Sequence, residues 1–226
     1  MKSLHVMAML LVCVPLVGMP LAGMPLIDMP LAGMPFSGAS LGSLSAESRD
    51  PMPWEALTRQ PTRHIGARVR VVGQFQARVE QWNPYLTRFT QQTHSAWQFW
   101  TDEQHLWLRA EYEAPRMRVF ALKDGRIARE LAQLGIQRRV ELELVVRECF
   151  LELPWAEVVA VRPLEESVSE ASAFHAARAI ELERTGALKL ALSELESALV
   201  AGLPAHSRVA LESLQAQWRE QLPSPR

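Results

Sequence analysis

The sequence predicts an α+β protein in which a small β-barrel domain is followed by an α-helical hairpin with a capping helix. Three observations carry this. Apolar residues alternate at period two through the middle of the chain, the period changes to that of helices from Ser167 onward, and a proline-punctuated repeat precedes both. The 226 residues and 48% hydrophobic content suffice for a buried core, which excludes wholesale disorder. The 24 Lys and Arg balance 25 Asp and Glu, so no whole-molecule field drives the protein onto nucleic acid or anionic lipid. With Cys13 and Cys149 as the only cysteines, no intramolecular disulfide framework and no cysteine zinc site is expected.

Residues 1–46 read as an export signal that runs into a repeat. Lys2 is the only full charge before Asp28, and Val6 to Val14 form an apolar run of the length of a signal h-region. Five pentads follow over residues 14–38, each with Pro at its second position, from Pro15 to Pro35. An interior proline costs a helix about 3 kcal/mol, so no straight spanning helix is expected there. Small residues between 39 and 46 offer places for signal peptidase. The expectation is an exported protein of the periplasm or cell envelope, with an uncleaved membrane anchor over residues 4–27 as the alternative. Lipidation of Cys13 is disfavoured by Val12, which stands where a lipoprotein signal has a small residue.

The barrel segment covers residues 47–165. Val69, Val71, Phe75, Ala77 and Val79 share one face of a long strand, with Arg68, Arg70, Gln74, Gln76, Arg78 and Glu80 on the other. Gly73 at its middle marks the expected bulge or bend. Ala96 to Trp100 and His105 to Arg109, joined by Thr101-Asp102-Glu103-Gln104, read as a hairpin. Met117 to Leu122 adds a short strand, Ile127 to Ile136 a helix ending near Gly135, and Val140 to Leu144 and Trp155 to Val161 two last strands. This order resembles the OB-fold, a five-stranded Greek-key barrel with a helix between its third and fourth strands.

Residues 167–222 read as helical. Ala179, Gly186, Ala191 and Ala198, with Leu182 and Leu195 at large apolar positions, form a small-residue ladder similar to that of a tetratricopeptide repeat. Pro204 stands one residue late for that pattern. A third helix over about 207–221, with Val209, Leu211, Leu214 and Trp218, would cap the pair. Stacked repeats need about three units to bury a continuous core, so one hairpin must dock on its own barrel or on a partner.

Chemistry is sparsely signposted. There is no His-Glu-x-x-His, Gly-x-Ser-x-Gly, phosphate loop or Cys-x-x-Cys, so neither a catalytic residue, a metal site nor a cofactor is expected. The five histidines beyond residue 46, His64, His94, His105, His175 and His206, are scattered, and Cys149 reads as an inert strand thiol. Six arginines lie between Arg59 and Arg88 beside a run of aromatic residues, a combination that single-strand binders use. On the expected alternation Arg68, Arg70, Gln98, Trp100, Trp107 and Arg109 project together as a ligand-binding face. Residues 49–165 hold 17 basic and 15 acidic side chains, a surplus of only two, which makes nucleic acid an unlikely partner. The expected function is that of an exported or membrane-tethered, non-catalytic accessory or adaptor protein binding another protein of the cell envelope. The alternative is an OB-type module that holds an oligonucleotide or oligosaccharide on its Arg and Trp face.

Overall fold

Five strands close on themselves in the computed structural model, which describes residues 50–82 and 87–222. They are β1 (Arg68–Val79), β2 (His94–Thr101), β3 (Met117–Leu122), β4 (Arg139–Phe150) and β5 (Leu153–Pro163). The barrel order is β1-β2-β3-β5-β4. All neighbours are antiparallel except β3 and β5, which meet in parallel at Phe120 and Glu157. Helix α3 (Arg126–Ala132) lies between the third and fourth strands, so both the closure and the element order fit an OB-like fold. Val71, Phe99, Met117, Val119, Leu142, Leu144 and Ala156 fill the interior, joined by Leu131 of α3. The expected signal and pentad repeat, residues 1–46, lie outside the described residues. Among the described residues no helix is long and apolar enough to cross a membrane.

Three local expectations are corrected, and one helix is added. The bulge of β1 falls between Phe75 and Ala77, which skips Gln76, and not at Gly73. Gly73 serves close packing instead, since a Cβ there would lie 2.1 Å from Met117 Cε. Residues 105–109 form no hairpin strand. The chain turns there and enters a one-turn helix, α2 (Arg109–Tyr112), because β2 already pairs with β1 on one side and β3 on the other. Gln104, only 2% exposed, fixes that turn: its side-chain oxygen accepts from the Thr101 and Arg116 amides and its amide donates to the Glu111 and Ala114 carbonyls. Helix α3 stops at Ala132, short of Gly135. A further helix, α1 (Trp54–Arg59), precedes the barrel and inserts Trp54 and Leu57 into its core, tied to β1 by the Met52 amide donating to the Arg70 carbonyl at 2.7 Å.

Three helices follow the barrel within the same compact unit: α4 (Glu170–Arg184), α5 (Leu188–Ala198) and α6 (Ala205–Glu220). The Ser169 hydroxyl caps α4 by accepting from the Ser172 amide at 3.1 Å. Ala176, Ala179, Ala191 and Ala198 are fully buried, and their small side chains let the helices approach closely. Gly186, expected in that ladder, sits in the turn between α4 and α5 at φ 81°, where a left-handed backbone favours glycine. Leu195, Leu211 and Trp218 complete a core that also takes in Trp100, Leu106 and Trp107. The helices are therefore packed on the barrel. Gln74 locks the joint, donating to the Val168 carbonyl at 2.7 Å and accepting from the Val168 amide at 3.0 Å.

Candidate functional site

The six residues expected to share one face are divided. Arg68 and Arg70 lie on the side of β1 that faces β4, where each meets an acid. Arg68 Nη1 is 2.6 Å from Glu143 Oε1, and Arg70 Nη1 is 3.6 Å from Glu141 Oε1, a carboxylate that Arg162 also contacts at 2.6 Å. The row is charge-compensated. Gln98 is half-buried and donates to the Pro115 carbonyl at 3.1 Å. Trp100, expected to project outward, is 1% exposed because the C-terminal helices cover it. Its indole N–H donates to the Tyr112 carbonyl at 2.8 Å and its ring stacks on Tyr112 at 4.9 Å. Trp107, expected on a strand, lies buried in the turn before α2, stacked on His105 at 4.9 Å and nearly parallel. Arg109 alone of the aromatic and cationic set is fully solvent-facing, its Nε donating to Glu113 at 2.7 Å.

Trp107 and Arg109 nevertheless meet in one place. The turn 106–112 and the first two turns of α4 enclose an open, mainly apolar groove of about 260 Å³. Its floor is Leu106, Trp107 and Ala173, and Tyr112 and Phe174 stand along its edges. Phe174 is 59% exposed, although it is the largest apolar side chain of α4. Arg109 marks one lip and Glu170 another. The Arg109 Nη groups have no acceptor among the described residues, and Glu170 has no ion-pair partner there. The sequence carried a signal for this. Phe174 falls outside the buried stripe of Ala173, Ala176 and Ala179, and a large ring off the core face of a helix asks for a cover. Tyr112, Gln137 and Glu170 gave none.

Beside its apolar core, the joint between barrel and helices has a polar part. Arg139 of β4 grips Asp102 through Nε at 2.9 Å and Nη2 at 2.5 Å, with Glu166 3.7 Å from its Nη1. His206, in the first turn of α6, places Nδ1 3.9 Å from Asp102 and Nε2 3.0 Å from the Ser207 hydroxyl. Burial holds this imidazole below its ordinary pKa, partly opposed by Asp102 and reinforced by Arg139. The buried atoms Thr101 Oγ1, Glu103 Oε2 and His105 Nδ1 nearby have no hydrogen-bond partner among the described residues. A serine, a histidine and an aspartate in line invite comparison with a nucleophilic triad. The arrangement cannot work as one: Ser207 is 1% exposed, and Asp102 is committed to Arg139. Among the described residues no group of three or more His, Cys, Asp or Glu side chains could hold a metal ion.

A second aromatic cluster closes the opposite end of β2. Phe89, Phe120 and Trp155 stack within 4.5 to 5.9 Å of one another, and Trp82 donates its indole N–H to the Phe89 carbonyl at 2.9 Å. These rings are packing, with Trp82 and Trp155 9% and 8% exposed and the two phenylalanines buried. Cys149 is half-buried near the end of β4, as a free thiol.

No family model and no curated protein matches the chain. Among solved structures, one described as an aspartyl-tRNA synthetase from Leishmania major Friedlin is similar at a TM-score of 0.35 and 11% identity, over 69% of this chain and 32% of that one. The chain thus spans about a third of that protein's length.

Proposed function

We propose that this protein is a non-catalytic accessory protein that binds another protein, and that the groove between the turn 106–112 and α4 is where it does so. The observation that carries the reading is Phe174, an exposed ring beside an apolar groove lined also by Arg109, whose Nη groups are open although its Nε pairs with Glu113, and by Glu170. The occupant that fits is a peptide segment with one apolar anchor residue, an acidic residue on the Arg109 side and a basic residue on the Glu170 side. Burying a leucine-sized anchor supplies about 1.5 to 3 kcal/mol, and the two rim charges set orientation more than affinity. In this reading α4 and α5 act as a single tetratricopeptide-like hairpin with α6 as its cap, using the barrel as the neighbour that a longer array would provide. The apolar run at residues 6–14 supports export, which puts the partner in the cell envelope.

A photoreactive residue at position 174 of the full chain, expressed in its native host, tests this. The expected result is one crosslinked protein, absent when the probe sits at exposed Leu151, and a segment of that protein that binds the purified chain at least tenfold more weakly after Phe174→Glu. Equal binding by Phe174→Glu, with the fold intact by circular dichroism, refutes the groove. Recovery of nucleic acid with steeply salt-dependent affinity would instead favour the oligonucleotide reading of the barrel.

A further inference from the structure

We infer that the groove takes an extended, proline-containing peptide, and that Gln137 is the residue that recognises its backbone. The inference rests on the groove being a binding site, as proposed above, and adds the conformation its occupant must have. Gln137 belongs to the connection between α3 and β4 and lines the groove with Trp107, Tyr112 and Phe174. It is half-buried, and its side-chain amide makes no hydrogen bond among the described residues. Its backbone is constrained. The Gln137 N–H donates to the Phe75 carbonyl at 2.7 Å, the Phe75 N–H donates to the Arg138 carbonyl at 2.9 Å, and the Arg138 N–H donates to the Gly135 carbonyl at 3.0 Å. Within this turn Gln137 has a φ of 67°, in the left-handed region that favours glycine or asparagine over a longer side chain. Gly135, two residues before it, does not occupy that region. A strained position kept with a long side chain points to a role for that side chain.

A half-buried amide offers two donors and an acceptor. A helical occupant satisfies its own backbone N–H and C=O groups, so it would cover the Gln137 amide without pairing it, at a loss of affinity. An extended occupant presents free carbonyls, one of which the amide can take. The rings narrow the choice further. Trp107, Tyr112 and Phe174 make an aromatic-lined groove, the kind that receives proline in polyproline II conformation, where much of the ordering cost is met before binding. Arg109 and Glu170 add charge complementarity, with an acidic residue to one side of the proline-containing core and a basic residue to the other.

The probes are two fluorescein-labelled peptides, Glu-Pro-Leu-Pro-Lys and its reverse Lys-Pro-Leu-Pro-Glu, and an alanine-rich helix carrying the same Glu, Leu and Lys on one face. Each is titrated into the full chain and followed by anisotropy. The expected result is that one extended peptide binds more tightly than the helix. Gln137→Gly should weaken that peptide about fivefold, the usual worth of one hydrogen bond, without lowering the melting temperature. That combination separates recognition from structure, because glycine suits the left-handed backbone and removes only the amide. Should the glycine variant prove less stable, Gln137→Asn keeps a residue this backbone accepts and shortens the amide, and it should weaken binding likewise. Unchanged binding in both variants, equal or tighter binding of the helix, or no binding of either extended peptide overturns the inference. Phe174→Glu tells this failure from failure of the groove. If it weakens a bound peptide and the Gln137 variants do not, the groove stands and backbone recognition falls, whereas a peptide that none of these variants weakens refutes both.

Discussion

Gly73 offers the sharpest test of how the barrel is packed. Alanine there keeps an allowed strand backbone, so the substitution alone reduces the freedom of the unfolded chain and contributes about 0.4 to 1 kcal/mol of stability. Against this, the new Cβ would lie 2.1 Å from Met117 Cε, 3.0 Å from the Trp100 carbonyl oxygen and 3.2 Å from Phe99 Cβ. Met117 is fully buried and its methyl has no solvent to move into, and the Trp100 carbonyl is backbone in a paired strand. Overpacking of a core costs typically about 1 to 3 kcal/mol, so the net for Gly73→Ala is a loss of about 1 to 2 kcal/mol. Met117→Ala alone removes most of a core side chain and costs about 2 to 5 kcal/mol. In the double variant the alanine methyl at 73 occupies part of the space Met117 vacates, so the pair should be no less stable than Met117→Ala. Urea unfolding followed by tryptophan fluorescence measures all three differences. A stabilised Gly73→Ala, or single effects that add in the double variant, would show that the contact with Met117 is not what requires glycine.

Three further outcomes follow from the same geometry. Gln74→Leu leaves the buried Val168 amide and carbonyl without their partners and should cost about 2 to 4 kcal/mol, read as a lower urea midpoint and faster proteolysis near residues 164–169. Leu151 and Glu152 turn between β4 and β5 with φ of 50° and 60°, so Leu151→Asn with Glu152→Gly supplies the residues such a turn favours and should raise the melting temperature by a few degrees. Glu143→Ala removes the pairing of Arg68, but that guanidinium-bearing side chain is 59% exposed, and thermal melts should shift by less than the equivalent of about 1 kcal/mol.

The strands were legible where one face meets the core and the other meets water. Residues 68–75 and 139–145 alternate because their neighbours in the barrel put every second side chain inside, and period two survives in the sequence. The pattern misled at 105–109, where Leu106 and Trp107 are adjacent and both buried in the core that the C-terminal helices share, in a turn and not in a strand. What fixes that turn is Gln104, whose side chain satisfies two amides and two carbonyls from residues as far apart as Thr101 and Arg116. A glutamine in a polar tetrapeptide announces nothing of this. Helix α1 was missed for a simpler reason: six residues hold one pair of apolar side chains, Trp54 and Leu57, too little for periodicity to register.

The candidate site was less legible than the fold because it is assembled from what covers the barrel. The outer face of β2 and β3 would offer rings to a single strand of nucleotides or sugars only if those rings stood free. Ala96 and Phe120 lie under the aromatic cluster of Trp82, Phe89 and Trp155 at one end, and Trp100 lies under the C-terminal helices at the other. Between them Gln98 faces Arg118 across the β2–β3 pair, with no exposed ring on either. Covering the face with helices moves the opportunity for recognition to their edge, where a groove stays open between α4 and the turn 106–112 and Phe174 is 59% exposed beside His175. The same edge is the one joined through Arg139, Asp102 and His206, so any force that loosens the helices from the barrel also reshapes the groove. A binding surface built at a joint inherits the stability of the joint.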